Sequence, residues 1–272
     1  MAMWDKLSSR GNVDDRRSLG PAAVGGLGLG GVALYLLANV LLGGEIDVGQ
    51  VLQQVEQVQT ASPQNFDGSA FEGEDEYEVF ASTVLGSNNQ LWERVFSENN
   101  REYSPPTLVL FRTATTSSCG SATSQVGPHY CPLDSTIYLD ETFFDELQTR
   151  FGAQGGDVAE AYVIAHEVAH HVQSRLGILE QAGQQDSVQI ELQADCLAGV
   201  WAYSIRDLGV LSPGEITEAM DAAAAVGDDR IQERVTGQIN PESWTHGSSE
   251  ARVTAFTQGY ETGEVANCSL EL

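Results

Sequence analysis

Apolar residues recur at helical spacing through two long segments of this 272-residue chain. Residues 157–176 contain no Pro or Gly, and their apolar positions form a stripe along one side of a helix. A Gly-Gly pair precedes this segment, Asp157 is the predicted N-cap, and Gly177 is placed to end the helix. Residues 187–208 show the same spacing. The pattern therefore predicts two helices.

Shorter patterns predict the other elements. Residues 107–111 and 135–139 are rich in β-branched, aromatic and apolar side chains and are predicted to form strands. A capping box at 212–215 opens a predicted helix that runs towards Ala225, and a further helix is expected after Ser248. Together these elements predict an α+β fold that is mainly helical with a small sheet.

One stretch near the N-terminus has a different pattern. Residues 21–43 contain no charged side chain and are long enough to span a bilayer. The preceding residues are basic at several positions, and no basic residue follows until Arg94. The positive-inside rule then predicts a single-pass protein with a cytoplasmic N-terminus and an extracellular domain. The basic residues that precede the stretch are Lys6, Arg10, Arg16 and Arg17.

A cleaved signal peptide is the alternative interpretation of this stretch. The polar leader is long and no small-x-small site ends the apolar run, so a retained anchor is favoured. The predicted organisation is a cytoplasmic leader at 1–20, a transmembrane anchor at 21–43, a juxtamembrane linker at 44–75 and one globular domain at 76–272.

The charge of the chain restricts its partners. There are 39 acidic residues against 13 basic ones, of which only Lys6 is a lysine, and the net charge is −26. Such a surface argues against nucleic acid and anionic lipid as partners. It also repels itself unless salt screens it, so we expect adaptation to high salt.

Residues 166–170 read His-Glu-Val-Ala-His, an HExxH pattern, and lie in the middle of the first predicted helix. Histidines four positions apart on a helix point to one side, which suits two nitrogen ligands of Zn²⁺. Glu167 lies between them and is placed to act on water beside the metal. Because so short a motif also arises by chance, the alternative is that His166 and His170 are ordinary core histidines.

A catalytic zinc site needs a third protein ligand. The longer HExxHxxGxxH motif is excluded, because Gln173 and Leu176 occupy its further positions. The second predicted helix carries Glu191 and Asp195, which are four apart and share one face. Glu191 is the predicted ligand, and Asp195 is predicted to accept a hydrogen bond from a ligand histidine. A solvated acidic face is the alternative, but apolar neighbours disfavour it.

Several sequence runs, in a common order, resemble the neutral zinc metallopeptidase family of membrane-anchored prokaryotic proteins. This resemblance covers the chain from about residue 78 to the C-terminus. The runs are AYVIAHEVAHHVQ, SVQIELQADCLAGVWA, GDDRIQ, THGSSEAR, LVLF, GPHYCPLDSTIYLD and FFDEL.

The resemblance implies a zincin-like, gluzincin-type domain with one catalytic Zn²⁺. In such a domain His166, His170 and Glu191 would bind the metal and Glu167 would act in catalysis. Ala169 is a small departure, since relatives usually carry Gly there, and Ala preserves the helix.

The run THGSSEAR is also similar to a His-containing motif of HtpX-like membrane peptidases. By this resemblance, His246 would lie near the substrate and donate to the oxyanion that develops, and Arg252 would help to organise the site. The alternative is a loop histidine and a surface arginine. His171 points away from the metal side and is predicted to be structural. His129 is predicted to lie on the cleft wall or the surface.

The four cysteines are consistent with an exported domain. A bond between Cys119 and Cys131 would close a short loop, and one between Cys196 and Cys268 would tie the second helix to the C-terminal tail. Three pairings are possible, and free thiols are the outcome in a reducing compartment. A Cys₄ metal site is disfavoured because the chain contains no CxxC pair.

The leading hypothesis is a membrane-anchored zinc endopeptidase that acts on peptide or protein substrates outside the cell. Glu167 would be the general base towards water. The substrate is expected to pair as an added strand with an edge of the small sheet. The alternatives are a catalytically silent zinc-binding module and a zinc hydrolase that acts on other bonds.

Overall fold

The computed structural model describes residues 2–19, 74–124, 126–150, 152–181, 187–212 and 214–269, without the side chains of residues 235, 236 and 242. These residues form a helical layer packed on a small sheet, in agreement with the predicted α+β class. The strands are β1 (Asn12–Asp15), β2 (Thr107–Leu110), β3 (Ala114–Ser117), β4 (Gly120–Thr123), β5 (His129–Cys131) and β6 (Thr136–Leu139).

The central sheet has the strand order β1-β2-β6-β5. β1, β2 and β6 run parallel, and β5 is antiparallel to β6. The predicted strands at 107–111 and 135–139 are confirmed as β2 and β6, which lie in the middle of the sheet. β6 is buried along its whole length, which explains its run of apolar residues. β3 and β4 form a separate hairpin.

The predicted helices are confirmed, with small differences at their ends. The first begins at Asp157 with Gly156 as its N-cap, so the Asp157 carboxylate is free to accept hydrogen bonds from other parts of the chain. The helix after Ser248 begins at Ser249, with the Ser248 side chain as its cap. The helices are α1 (Glu76–Glu98), α2 (Thr142–Thr149), α3 (Asp157–Arg175), α4 (Ile178–Gln181), α5 (Ser187–Arg206), α6 (Ile216–Ala225), α7 (Asp228–Thr236) and α8 (Ser249–Thr262).

The helices α3, α5 and α8 pack together around the buried core. α5 and α8 cross at two glycines. A Cβ at Gly259 would lie 1.9 Å from the carbonyl oxygen of Cys196, and a Cβ at Gly199 would lie 2.1 Å from that of Phe256. Glycine is therefore required at this crossing, which fixes the position of α5 relative to its neighbours.

Residues 2–19 form part of the folded domain, contrary to the prediction of a separate leader. β1 pairs with β2 from Asn12 opposite Thr107 to Asp15 opposite Leu110. The Trp4 ring stacks on that of Trp201 at a centroid distance of 6.5 Å. The segment crosses α1 where Gly86 removes the side chain that would otherwise collide with it. Backbone pairing and aromatic burial therefore hold this segment on the domain.

Arg17 joins this N-terminal segment to the residues that follow position 73. Its guanidinium is 1% exposed and lies 2.6 Å from Asp15, 2.8 Å from Asp75 and 3.1 Å from Glu141. Residues 17 and 75 thus meet on one side of the domain.

The predicted anchor at 21–43 and nearly all of the predicted linker lie outside the described residues. None of the helices in the described ranges is long and apolar enough to cross a membrane.

Candidate metal centre

The HExxH pattern lies on α3, and both of its histidines face α5. Nε2 of His166 lies 3.1 Å from Oε2 of Glu191, and Nε2 of His170 lies 3.5 Å from Oε1 of the same carboxylate. One possible ligand atom from each residue lies within 4.8 Å of the others. Two imidazole nitrogens and a carboxylate oxygen are a ligand set found at catalytic zinc sites, which leave a fourth position open. These residues therefore fit a zinc ion.

The charges around the two histidines also favour a cation. Burial alone would lower the pKa of His166, but the carboxylates of Asp195 and Glu191 outweigh it and raise the pKa to about 10. Burial would likewise raise the pKa of Glu191, yet His170 and His166 hold it well below its usual range. The carboxylates that favour a protonated imidazole in the metal-free protein would also attract Zn²⁺.

Asp195 lies behind His166, at a distance of 2.8 Å between its Oδ1 and the ring Nδ1. Charge attraction between the carboxylate and the imidazole is the main interaction of this pair. Arg252 donates to both Asp195 oxygens, at 2.8 and 3.0 Å, and Tyr162 donates its hydroxyl to Oδ1. Burial would raise the pKa of Asp195, but Arg252 and His166 lower it to about 2. The negative charge facing His166 is therefore held in place.

Gln173 is a contact of the second histidine that the sequence analysis missed. Its Oε1 accepts from Nδ1 of His170 at 2.8 Å, and its Nε2 donates to the carbonyl of Ile190 at 2.8 Å. The side chain is fully buried. A glutamine three positions after His170, on the helix face that it shares with Ala169 and Leu176, was the available signal, since buried amides need partners. This contact directs Nε2 of His170 away from Gln173 and towards Glu191.

The three possible ligands line a cleft of about 580 Å³. Glu167 lies on the same wall and is 7% exposed, and among the described residues no group donates a hydrogen bond to its carboxylate. Its oxygens are thus available to a molecule in the cleft. Much of the remaining lining is apolar and includes Val126, Pro128, Phe143, Val226 and Ile231.

His246 and Arg252, the two residues inferred from the THGSSEAR run, also line this cleft. His246 is half exposed, and its Nδ1 lies 3.3 Å from Oδ1 of Asp228. Asp228 also accepts the backbone N–H groups of Thr245, His246 and Gly247 with its other oxygen. Asp228 therefore holds the His246 loop, a contact that the sequence analysis did not predict.

The two remaining histidines of the central region have packing roles. His171 is fully buried, with Nδ1 accepting from the Tyr130 hydroxyl at 3.0 Å and Nε2 donating to the Ser104 carbonyl at 2.7 Å. Burial lowers the pKa of His171 to about 4, so it is neutral and structural, as expected. His129 stacks on Tyr138 and lies on the cleft wall.

The cysteines form two disulfides, Cys119–Cys131 and Cys196–Cys268. None of the four is free. The first joins the turn between β3 and β4 to the end of β5, and the second joins α5 to the C-terminal 3-10 turn at Val265–Cys268. Of the three pairings that the sequence allowed, the structure contains the one suggested by loop closure and by the C-terminal tail.

Known bacterial proteins are similar to this chain along most of its length. The chain is 39% identical to the uncharacterized protein YpfJ of Escherichia coli, in an alignment that covers 98% of this chain and 97% of YpfJ. It is 49% identical to the uncharacterized protein Rv2575 of Mycobacterium tuberculosis, over 61% of this chain and 62% of that protein. No solved structure matches the chain.

A family model described as "Putative neutral zinc metallopeptidase" matches residues 2–270. The match includes the N-terminal segment that carries β1, as well as the helices that carry the two histidines and Glu191. The chain therefore belongs to this zinc metallopeptidase family.

Proposed function

We propose that this protein is a zinc-dependent endopeptidase that hydrolyses peptide bonds in the cleft beside α3 and α5. The observation that carries the proposal is the convergence of His166, His170 and Glu191 on one point, with the Glu167 carboxylate in the same cleft. Family membership supports zinc and peptide hydrolysis at the level of the class.

The residues divide the chemistry between them. His166, His170 and Glu191 would hold a zinc ion, which supplies Lewis acidity for the scissile carbonyl and for water. Glu167 takes a proton from the attacking water and passes it to the leaving amine. Asp195 and Gln173 hold the two imidazoles in the orientation that presents their Nε2 atoms to the metal.

His246 is proposed to stabilise the oxyanion. Asp228 lies against its Nδ1, which leaves Nε2 as the ring nitrogen available to a substrate. A donor aimed at the developing negative charge acts more strongly in a cleft than in water, because less solvent competes with it. Arg252 acts indirectly, by holding Asp195 and Tyr162.

The substrate is proposed to pair with β5. The predicted strands β2 and β6 offer no free edge, because each has a neighbour on both sides. β5 is the last strand of the sheet, and its residues His129 and Tyr130 line the cleft. An extended peptide added to this edge would pair with the backbone of β5 and lie across the site.

The test is Glu167→Gln in the complete chain, because β1 belongs to the fold. We expect the variant to keep its zinc, measured by metal analysis, and to cleave an unfolded protein about 10²- to 10⁴-fold more slowly. Glu180→Gln is the matched control, since Glu180 is exposed and lies outside the cleft lining. The assay covers low to high salt, because we propose that the net charge of −26 reflects a high-salt environment.

The alternatives give different results in the same assay. If the wild-type protein binds zinc but cleaves no peptide at any salt concentration, the peptidase proposal fails and a silent zinc-binding module replaces it. Hydrolysis of an ester or amide that is not a peptide, lost in Glu167→Gln, would instead indicate a different zinc hydrolase.

Membrane attachment through residues 21–43 is a separate proposal, as is an extracellular site of action. The pairing of β1 supports a version in which residues 2–19 and the domain share one side of the membrane. Carbonate washing of a membrane fraction should leave the complete chain bound and release a chain without residues 21–43. Protease access to residues 2–19 and to the domain from the same side would support the shared location. Access from opposite sides would contradict it.

A further inference from the structure

A continuous set of hydrogen bonds runs from the second histidine to the end of the described chain. Nδ1 of His170 donates to Oε1 of Gln173. The Nε2 of Gln173 in turn donates to Oε1 of Gln193 at 3.0 Å. Nε2 of Gln193 then donates to the carbonyls of Cys268 and Ser269, at 3.2 and 2.9 Å. Both amides are thereby oriented, because in each the nitrogen faces carbonyl or amide oxygens and the oxygen faces a donor.

The last acceptors of this set are held by a covalent bond. Cys268 is joined to Cys196, which is 3% exposed and lies three positions after Gln193 in α5. Residues three apart on a helix share a face, so the disulfide and the Gln193 amide hold the same short C-terminal turn. Gln258 of α8 also donates to this turn, at the carbonyl of Asn267.

We propose that the Cys196–Cys268 disulfide positions His170 through Gln193 and Gln173, and so raises the affinity of the site for its metal. With the disulfide in place, the carbonyls of Cys268 and Ser269 keep the Gln193 amide in one orientation. The Gln193 amide oxygen then accepts from Nε2 of Gln173, which leaves the Gln173 amide oxygen facing Nδ1 of His170. Without the disulfide, the Gln193 and Gln173 amides can adopt more orientations. The imidazole of His170 is then held less firmly in the tautomer and orientation that bind the metal.

The proposal rests on the metal site of the proposed function, but it does not need peptide hydrolysis. The test measures the affinity for zinc, by competition with a chromogenic chelator, and the visible spectrum of the Co²⁺-loaded protein. It can therefore fail while the peptidase proposal stands, and it can hold in a protein that cleaves nothing.

The first variants remove one disulfide at a time from the complete chain. Cys196→Ala/Cys268→Ala is expected to weaken zinc binding about 3- to 10-fold, less than the roughly 10- to 100-fold typical of a direct contact of a ligand. Cys119→Ala/Cys131→Ala is the matched control and should leave the zinc affinity unchanged, because that disulfide joins the turn between β3 and β4 to the end of β5 and takes no part in the hydrogen bonds from His170 to Ser269. Equal affinities in the two variants would overturn the proposal.

The second variants keep the disulfide and break the hydrogen bonds. Gln193→Met and Gln173→Met preserve side-chain length and remove both amide groups, and we expect the loss of affinity to be larger for Gln173. Gln189→Met is the control, because Gln189 is exposed one turn earlier in α5. If the disulfide variant does not fold, Gln193→Met decides: an affinity and a Co²⁺ spectrum equal to those of Gln189→Met overturn the proposal.

A double-variant cycle tests whether the two parts act together. If the disulfide acts through Gln193, adding Gln193→Met to the cysteine variant should weaken zinc binding little further. Fully additive losses would mean that the disulfide stabilises α5 in general, which would contradict a positioning role.

Discussion

The carboxylate of Asp195 is shared by His166 of the candidate metal centre, a buried arginine and a tyrosine. Asp195→Asn keeps the shape of the side chain and removes its charge. Because Arg252 is only 3% exposed, its guanidinium would lose its buried counter-charge, and we expect about 3–5 kcal/mol less unfolding free energy in the metal-free protein. We also expect zinc binding to weaken roughly 10- to 100-fold. Denaturant unfolding with a chelator and zinc competition measure the two effects separately.

The two effects of Asp195→Asn can be separated by a second change. Asp195→Asn/Arg252→Met removes both buried charges, so stability should recover in part while zinc affinity stays low. Recovery of zinc affinity along with stability would show that the loss came from general unfolding rather than from the missing charge beside His166.

Glu160, in the first turn of α3, is expected to make the free energy of unfolding depend on pH. Burial raises the pKa of Glu160 to about 7, with Asp157 and Glu141 adding to the rise and Tyr77 opposing it. Between the ordinary value of 4.5 and about 7, the folded protein keeps a proton that the unfolded chain has released. This contribution to stability therefore falls as the pH rises through that window.

Glu160→Gln removes this dependence. Relative to the wild-type protein, the variant should become more stable between pH 5 and pH 8 by on the order of 2 kcal/mol, since one pKa unit corresponds to about 1.4 kcal/mol. Unfolding in denaturant at a series of pH values measures it. Glu93→Gln, at an exposed position of α1, is the control. If the free energy of unfolding changed with pH in the same way in Glu160→Gln and in the wild type, the raised pKa of Glu160 would be contradicted.

Among the elements, the crossing of α5 and α8 keeps the two helices that carry the acidic and basic residues of the candidate metal centre in contact. α5 carries Glu191 and Asp195, and α8 carries Arg252. In Gly259→Ala the new methyl group would collide with the backbone of α5, which no side-chain rotation can relieve. We expect a loss of about 1–3 kcal/mol in unfolding free energy, together with weaker zinc binding.

Gly214→Ala is the matched control for this crossing. No atom lies within 4 Å of the Cβ position there, so this variant should keep the wild-type stability. Equal unfolding curves for the two alanine variants would mean that the helices separate at little cost, and would contradict the close crossing.

At the scale of the molecule, the N-terminal segment is held by a buried charge. Arg17→Met would leave Asp15, Asp75 and Glu141 close together without their arginine, and we expect a loss of about 3–5 kcal/mol. Amide exchange in β2 should accelerate, because β1 covers its edge. Arg16→Met is the control: its pair with Asp14 is exposed, so the loss should stay below about 1 kcal/mol. Equal losses in the two variants would contradict a docked segment.

The local patterns in the sequence account for much of the helical part of this fold. The helices α3 and α5 follow from apolar spacing, and the pairs His166/His170 and Glu191/Asp195 each follow from the four-residue repeat of one helix. The long helix α1 was not predicted, because its apolar pattern is weak. α1 carries Gly86 and polar buried residues such as Asn88 in its middle, because it packs against the N-terminal segment as well as the core.

Helical spacing alone predicts the chemistry available on each helix, because it places ligand side chains on one face without reference to the rest of the chain. Tertiary structure decided which groups meet. Gln173 reaches Gln193, Asp228 reaches the His246 loop, and Arg17 reaches Asp75 across long separations in sequence. It also made β5 the edge strand beside the cleft and brought residues 2–19 into the sheet. Such contacts depend on how elements pack, and no periodicity within one segment encodes them.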